Sequence, residues 1–274
     1  MISCVYETHS HTPLCKHARG MPSDLAAVAE AKGLKGLILT CHCPLPDGMS
    51  AGVRMAPDQW KDYQNLVQAA REAYEGRVDV RLGVESDWLP GLEGWLETLH
   101  AGAPLHYVLG SVHPQIQEYK DLYFTGDWPA YHTQYFLSLV EAAETGLFDC
   151  LSHPDLVKNY GTETWDLEAQ MPHILKCLDR IAATGIAMEL NTSGRNKTLP
   201  QMNPAPEILR AMRERNIPVV VGSDAHEPAR VGDCFLEAYD LLMGCGYEQV
   251  RYFIDRKPVD LNLADARASL AAGA

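Results

Sequence analysis

The chain has 274 residues, of which 46% are hydrophobic and 22% charged, a composition typical of a globular protein with a large core. Its length suits one α/β barrel, so we expect a single domain over residues 1–274. The formal net charge of −13 argues against non-specific nucleic-acid binding and against an anionic membrane face, and we expect neither partner.

Seven short runs rich in apolar and β-branched residues, each bounded by glycine, proline or aspartate, predict β-strands. In chain order they cover residues 2–7, 33–40, 78–85, 106–113, 148–153, 185–191 and 217–224. Helical spacing of apolar residues predicts helices at residues 21–33, 56–76, 127–146, 166–185, 204–216 and 230–246. Strands that alternate with helices indicate βα units and a parallel sheet. Seven units favour a seven-stranded barrel, and an open doubly wound sheet is the alternative that periodicity leaves open.

The cysteines and the apolar runs indicate the cellular compartment of the protein. Eight cysteines are scattered through the sequence, several of them inside apolar stretches, which is typical of a protein with reduced thiols. The first residues lack the basic and apolar regions of a secretion signal, and the apolar runs are too short to cross a bilayer. We therefore predict a cytoplasmic protein.

Potential metal ligands stand at or just beyond the ends of the predicted strands. They are His9, His11, His42, Glu85, His113, His153, Asp224 and His226, and His17 lies in the loop after the first strand. The carboxyl ends of barrel strands converge on one rim, where active sites are built. A single histidine there would more often be structural, but seven of the eleven histidines fall in this set. We assign no role to the other four, which are His100, His106, His132 and His173.

These side chains suit a cluster of metal ions. His9 and His11 are two residues apart on a strand, so both side chains point to one face and can bind one ion. Imidazole and carboxylate ligands suit divalent metals such as Zn, Mn or Fe. The nine residues are too many for one tetrahedral centre and fit two or three ions. Only Glu85 and Asp224 can bridge ions, because a neutral imidazole has one lone pair to donate.

The motifs around these residues resemble those of the PHP (polymerase and histidinol phosphatase) superfamily. The matching segments are ETHSHT, CHCP, GVESDW, GSVH, SHPDL, ELNTSG and GSDAH, in the expected order from about Tyr6 to Gly232. Within the superfamily, GSVHP, SHPDLVKNYG, ELNTSGRNK and GSDAHEPARVG are most similar to the free-standing histidinol-phosphate phosphatases of histidine biosynthesis. The resemblance implies a distorted (β/α)7 TIM-like barrel, the PHP fold, with three divalent metal ions.

Carried over position by position, the resemblance also implies which residues share an ion. One ion takes His9, His11, Glu85 and Asp224; a second takes His17, His42 and His226; Glu85 bridges to a third, which takes His113 and His153. Two positions depart from the family pattern, because Glu7 and Cys41 stand where the family usually has aspartate. We expect Glu7 to hydrogen bond to a ligand histidine, and Cys41 to be a buried small residue rather than a ligand.

The activity that the resemblance implies is hydrolysis of L-histidinol phosphate to L-histidinol and inorganic phosphate. A hydroxide held between two ions would attack phosphorus in line, and Asp224 or a metal-bound water would protonate the leaving alkoxide. Glu85 and Asp224 are thus the predicted catalytic carboxylates. Arg195 is the favoured phosphate ligand, with Lys158 and Arg230 as further candidates.

The sequence contains candidates for binding the substrate amine and leaves two alternative functions open. Asp87 or Glu118 is a candidate partner for the substrate amine. The first alternative function is a PHP phosphoesterase that acts on another small phosphate ester, such as a nucleotide. The second is a non-catalytic metal-binding domain, against which the competent ligands at all nine positions count. The sequence contains no signal for an oligomeric state.

Overall fold

The structure, a computed structural model, describes residues 4–273, so the first predicted strand begins outside the described residues. The strands in this range form one sheet in chain order. They are β1 Tyr6–Glu7, β2 Gly36–Leu39, β3 Asp79–Asp87, β4 Tyr107–Ser111, β5 Cys150–Leu151, β6 Ala187–Asn191, β7 Val219–Gly222, β8 Gln249–Ile254 and β9 Lys257–Asn262. Each strand from β1 to β8 is parallel to its neighbours, and β9 runs antiparallel to β8.

Helices connect the strands and cover the sheet. They are α1 Pro22–Ala31, α2 Trp60–Ala73, α3 Glu93–Ala101, α4 Gln117–Tyr123, α5 Trp128–Glu144, α6 Leu167–Thr184, α7 Pro206–Glu214, α8 Phe235–Gly244 and α9 Leu263–Gly273. The six predicted helices are confirmed as α1, α2, α5, α6, α7 and α8. Local signals explain their ends: Asp166 caps α6 by accepting a hydrogen bond from the Ala169 amide, and Gly185 ends it with a φ of 75°. In the described part of the chain, no helix is long and apolar enough to span a membrane.

The chain segments that follow β1 and β7 are hydrogen bonded to each other. The His11 amide donates to the Ala225 carbonyl at 2.9 Å, and the Ala225 amide donates to the His9 carbonyl at 3.0 Å. On its other side, the extension of β1 meets β2, since the Thr40 amide donates to the Ser10 carbonyl at 2.9 Å. The first and seventh strands are therefore joined at the rim that carries the predicted ligands.

Besides the main hydrophobic core, a second and smaller apolar cluster lies on the inner face of the sheet, and seven of the strands contribute to it. Its members are Tyr6, Ile38, Tyr107, Leu109, Cys150, Ala187, Val220, Tyr252 and Phe253. Tyr6 of β1 and Tyr252 of β8 stack with ring centroids 4.5 Å apart, so side chains from the two ends of the parallel sheet meet inside it. The predicted α/β barrel, formed by a parallel sheet, is confirmed, and the closure of the barrel is distorted.

The hairpin of β8 and β9 is an addition that the sequence did not predict. Its turn is Asp255–Arg256, with φ values of 53° and 60°. Two-residue hairpin turns with positive φ normally contain glycine or asparagine, and this pair lacks that signal. Six of the first seven strands carry predicted ligands at the rim, the exception being β6, and β8 continues the parallel sheet beyond β7.

Candidate metal centre

One oxygen of Glu85, on β3, faces three of the predicted ligands. Glu85 Oε2 lies 2.9 Å from His42 Nδ1, 3.4 Å from His9 Nε2 and 3.5 Å from His11 Nε2. The carboxylate is 1% exposed, so it is held between these imidazoles rather than in solvent. Histidines that end β1 and β2 therefore meet on one side of a single carboxylate.

The other oxygen of Glu85 faces a different pair. Glu85 Oε1 lies 3.2 Å from His153 Nε2 and 3.5 Å from His113 Nε2, and it accepts a hydrogen bond from Ser111 Oγ at 2.6 Å. Since the two oxygens face separate sets of histidines, Glu85 has the geometry of a bridging carboxylate.

Asp224, just beyond β7, brings a second carboxylate to the same histidines. Its Oδ1 lies 3.0 Å from His11 Nε2, 3.3 Å from His226 Nδ1 and 3.6 Å from His9 Nε2. Ser193 Oγ donates to the other oxygen at 3.0 Å. The backbone of Asp224 has a φ of 52°, a left-handed conformation that is uncommon for a non-glycine residue.

His17 completes the outer part of the cluster. His17 Nε2 lies 2.9 Å from His226 Nε2, and these two residues and His42 offer ligand atoms that all lie within 4.8 Å of one another. His9, His11 and Asp224 form another such group. His17 is exposed whereas His42 is buried, so the cluster runs from the solvent into the protein.

The donor atoms of the cluster fit divalent cations. Among the residues that the structure describes, six buried atoms of the cluster have no hydrogen-bond partner, and four of these lie near one another: His9 Nε2, His11 Nε2, His42 Nδ1 and Glu85 Oε2. Buried polar atoms are nearly always hydrogen bonded, so lone pairs that converge without donors indicate a place for cations. Imidazole nitrogen and carboxylate oxygen support divalent metal binding here.

The pKa values of Glu85 and His42 favour the protonation states of metal ligands, whereas at His9 and His11 the nearby carboxylates outweigh burial and raise the pKa of the imidazoles. Burial raises the pKa of the Glu85 carboxyl, but the imidazoles of His42, His9 and His113 outweigh it, and the net pKa lies well below the usual range. Burial lowers the pKa of His42 to about 3, which keeps its imidazole neutral and its lone pair free for a metal. Glu85 and His42 are thus in the states that metal ligands require.

Two residues of neighbouring strands hold His9 in place. His9 Nδ1 lies 2.8 Å from Glu189 Oε1 on β6, and Glu189 is completely buried. A Cβ added at Gly222 would lie 2.6 Å from His9 Cβ and closer still to Glu189 Oε1, so only glycine leaves room for this pair. Sequence reasoning missed Glu189, and its signal was an acidic residue within the apolar run of a predicted strand.

His113 is held by a buried ion pair that sequence reasoning also missed. His113 Nδ1 lies 3.1 Å from Asp87 Oδ2, and the same oxygen lies 2.5 Å from Arg54 Nη2. Arg54 is 2% exposed and also donates to the Cys43 carbonyl at 3.1 Å. Asp87 is therefore engaged by Arg54 and His113 and is not placed to receive a substrate amine. Glu118, the other candidate, accepts hydrogen bonds from the amide and hydroxyl of Ser50.

A cleft beside the cluster has two adjoining parts, of about 350 and 460 Å³. Both are lined by His17, Asp224, His226 and Lys197, and the larger part also by Arg19 and Arg230. Of the predicted phosphate ligands, only Arg230 lines this cleft among the described residues. Lys197 and Arg19 are cations that the sequence did not single out.

The other two predicted phosphate ligands point elsewhere. Lys158 is 1% exposed, and its Nζ donates to Asp155 Oδ2 at 3.0 Å, Gln201 Oε1 at 3.3 Å and the Met202 carbonyl at 2.8 Å. Its ammonium therefore has no hydrogen left for a phosphate. Arg195 is 44% exposed and pairs with Glu237 on α8 at 3.1 Å.

A family model described as the PHP domain matches residues 7–193. The chain belongs to the PHP domain family. A second model, described as PHP-associated, matches residues 206–240 of the same chain. The predicted resemblance to the PHP superfamily is thereby confirmed.

Relatives and solved structures agree with the family assignment. The chain is 37% identical over 256 residues to a "Probable histidinol-phosphatase" of Deinococcus radiodurans, covering 90% of this chain and 95% of that one. It is 26% identical to a "Histidinol-phosphatase" of Bacillus subtilis over 84% of this chain and 97% of that one. The fold is similar to a histidinol phosphate phosphatase from Lactococcus lactis complexed with Zn, L-histidinol and phosphate, with a TM-score of 0.77, 15% identity, and coverage of 93% and 98%.

The two departures from the PHP pattern have different structural consequences. Glu7 hydrogen bonds to the predicted ligand His9, but through the backbone amide and not the ring. Its carboxylate accepts hydrogen bonds from the amides of His9 at 2.9 Å, Ser223 at 3.0 Å and Gly232 at 2.7 Å. It therefore joins β1 to the loop after β7. Cys41 is completely buried and its thiol accepts a hydrogen bond from Thr12 Oγ1 at 3.2 Å, which matches the expected small buried residue.

Proposed function

We propose that this PHP protein is a metal-dependent phosphatase that hydrolyses L-histidinol phosphate to L-histidinol and inorganic phosphate in histidine biosynthesis. The observation that carries the proposal is the carboxylate of Glu85 between two sets of histidines, several of which line a cleft that also contains cations. The choice of substrate draws support from the name of the Deinococcus radiodurans relative, to which the chain is 37% identical.

We assign three divalent ions, of Zn, Mn or Fe, to the cluster. The first would be held by His9, His11, Glu85 and Asp224; the second by His17, His42 and His226; and the third by Glu85, His113 and His153. Such ions supply a nucleophilic water at neutral pH and offset the negative charge of the phosphoryl group. Glu189 and Asp87 contact Nδ1 of His9 and His113, the nitrogen that points away from the ions, and this fixes the orientation of each imidazole for metal binding.

Asp224 acts in this proposal as an ionised carboxylate. Burial raises its pKa, but the imidazoles of His9, His11 and His226 outweigh burial and hold the pKa well below its usual range. A carboxylate that stays ionised can bind a metal or accept a proton from the attacking water. An Asp224 carboxyl that has accepted this proton can pass it to the leaving alkoxide, and a water molecule is the other candidate donor.

The phosphate group is assigned to the cations of the cleft, Lys197 and Arg230, with Arg19 beside them. This assignment replaces Arg195 and Lys158, whose donors are directed to Glu237 and to the interior. Lys197 lines both parts of the cleft, next to His17 and His226. A phosphate bound to the ions would therefore lie within the region that Lys197 borders.

The proposal is tested by a substrate comparison. Protein loaded with Mn²⁺ or Zn²⁺ is given L-histidinol phosphate, adenosine monophosphate and a phosphodiester, and released phosphate is measured. We expect the fastest release from L-histidinol phosphate. Faster release from the nucleotide would support the alternative phosphoesterase, and no release from any substrate by fully loaded protein would overturn the phosphatase proposal.

Lys197→Ala is expected to raise the KM for L-histidinol phosphate about tenfold, because one charge-assisted hydrogen bond contributes about 1.5 kcal/mol. Metal content should stay at the wild-type level. Lys61→Ala, an exposed lysine on α2, is the matched control and should leave both quantities unchanged. An Arg195→Ala variant with a larger defect than Lys197→Ala would return the phosphate site to Arg195.

A further inference from the structure

Asn191 ends β6, which among the described strands β1–β7 is the one whose end carries no predicted ligand. Its side chain is completely buried, and both polar atoms of its amide are hydrogen bonded. Nδ2 donates to Glu189 Oε2 at 2.9 Å, and Oδ1 accepts from the backbone amide of Ser193 at 3.0 Å. Asn191 therefore connects the carboxylate that contacts His9 to the chain segment that follows β6.

The partners of this amide fix its orientation, because the amide oxygen only accepts hydrogen bonds and the amide nitrogen only donates them. The backbone amide of Ser193 is a donor, so the atom that faces it is Oδ1, and the Ser193 hydroxyl lies 2.6 Å from the same atom. The carboxylate of Glu189 is an acceptor, so the atom that faces it is Nδ2. The reversed amide would place acceptor against acceptor and donor against donor.

Two donors on one oxygen of Glu189 leave its other oxygen for His9. Besides Asn191 Nδ2, the backbone amide of His153 donates to Glu189 Oε2 at 3.0 Å. Glu189 Oε1 lies 2.8 Å from His9 Nδ1, whereas Asn191 Nδ2 lies 3.4 Å from that nitrogen. The shorter contact of His9 Nδ1 is thus with an acceptor, which favours a hydrogen on this nitrogen.

The lone pair of His9 is then on Nε2, which lies 3.4 Å from Glu85 Oε2 and 3.6 Å from Asp224 Oδ1. A histidine that binds a metal through one nitrogen normally donates the hydrogen on its other nitrogen to an acceptor, which fixes the ring. The contacts of Glu189 therefore direct the metal-binding nitrogen of His9 toward the two carboxylates of the cluster.

We propose that Asn191 is a positioning residue for the ion assigned to His9, His11, Glu85 and Asp224. It holds Glu189 so that Oε1 accepts the hydrogen of His9 Nδ1, and His9 Nε2 keeps its lone pair for the ion. The inference rests on the proposed metal centre. Asn191 itself is not a ligand, and it acts on the ion through Glu189 and His9.

The first test measures Co²⁺ affinity in the absence of substrate. Asn191→Ala removes the donor to Glu189 and is expected to lower the affinity about 10–100-fold, the usual cost of losing a residue that supports a metal ligand. Asn159→Ala is the matched control, because Asn159 also donates to a carbonyl, that of Leu156, and accepts from an amide, that of Leu199. It should bind Co²⁺ like the wild type, and an equal loss in both variants would overturn the inference.

Glu189→Gln tests whether Asn191 acts through Glu189. Asn191 and the His153 amide both donate to one position of this side chain, so the new amide oxygen must occupy it and the NH₂ group must face His9 Nδ1. A hydrogen is then favoured on His9 Nε2, and Co²⁺ affinity should fall. In the double variant with Asn191→Ala, the combined loss should be smaller than the product of the single losses. Losses that multiply would show that the two residues act independently, contrary to the inference.

The tautomer of His9 provides a test that needs no variant of Asn191. Long-range ¹H–¹⁵N correlation spectra of the Zn²⁺-loaded wild type should show the hydrogen of His9 on Nδ1, and His9→Ala identifies its signals. A hydrogen on Nε2 would overturn the inference. Wild-type Co²⁺ affinity in folded Asn191→Ala would also overturn it while leaving the phosphatase proposal intact. Wild-type protein that bound Co²⁺ but released no phosphate would remove only the phosphatase, and protein that bound no Co²⁺ would remove both.

Discussion

Glu85 divides the histidines of the site into two groups, because each of its oxygens faces a different set. Its position explains why one loop contributes three histidines. His9 and His11 lie beside Glu85 Oε2, whereas His17 lies at the exposed end next to His226. A single stretch of chain therefore reaches both the buried and the outer part of the cluster.

His9→Ala and His17→Ala should each abolish phosphate release but deplete different ions, because the two imidazoles belong to separate groups of ligands. Elemental analysis of the dialysed variants gives the number of ions lost, and anomalous diffraction from their crystals shows which position is empty. Full metal content in both variants would contradict the assignment of this loop.

Arg54 and Asp87 form a buried ion pair, with side chains 2% and 1% exposed. Arg54→Ala leaves Asp87 buried without its cation, so the free energy of unfolding should fall by about 3–5 kcal/mol. Urea unfolding of the metal-free protein measures this change. The control is Arg77→Ala, which breaks an exposed pair with Glu30 and should cost about 0–1 kcal/mol. Equal losses in both variants would show that burial of the pair has no special effect.

At the scale of elements, the eighth strand matters because it fills the inside of the sheet. Tyr252 of β8 is 7% exposed and stacks on Tyr6 of β1, whose hydroxyl donates to Asp79 Oδ2 at 2.6 Å. The hairpin of β8 and β9 thus connects the last part of the chain to the first strand. Without it, the aromatic face of β1 would lose its main partner.

Tyr252→Ala should lower the free energy of unfolding by about 3 kcal/mol, since a large buried side chain is lost and a cavity remains. The urea midpoint of the metal-free protein measures the loss. Leu122→Ala serves as the control, because Leu122 is 56% exposed and its replacement should cost little. A Tyr252→Ala variant as stable as Leu122→Ala would mean that the stacked pair does not hold the hairpin.

At the scale of the whole molecule, a fall in pH should lower the free energy of unfolding, and part of this loss should come from His100 on α3. His100 Nε2 lies 2.8 Å from Ser86 Oγ, and burial, with the charge of Arg256, lowers the pKa of His100 to about 4. In the unfolded chain the pKa is about 6.5, so the unfolded state takes up the proton first as the pH falls. The contribution of His100 to stability is complete at neutral pH and decreases between pH 6.5 and 4.

His100→Gln keeps a hydrogen-bonding group for Ser86 and removes the titration. Between pH 7 and pH 5, the free energy of unfolding of the wild type should fall by about 2 kcal/mol more than that of the variant. Urea unfolding of the metal-free proteins at several pH values measures the difference. Parallel pH profiles would contradict a buried neutral imidazole at this position.

The alternation of strands and helices was readable from sequence because it rests on local periodicity and capping residues. Six helices and the parallel order of the strands agree with the prediction, and the structure brings the nine predicted ligands close to one another. The hairpin of β8 and β9 was missed, since its Asp255–Arg256 turn has no glycine or asparagine. Helices α3 and α4, of nine and seven residues, are too short for a clear periodic signal.

The sequence by itself determined which residues stand at strand ends, because residue order and side-chain alternation place His9, His11 and Glu85 on the rim. Only the tertiary structure decided what supports them. Glu189 meets His9 across 180 residues of chain, and Arg54 meets Asp87 across 33. It likewise turned Arg195 toward Glu237 and brought Lys197 to the cleft. Such partners depend on packing between distant segments and on side-chain direction, which local patterns of residues do not encode.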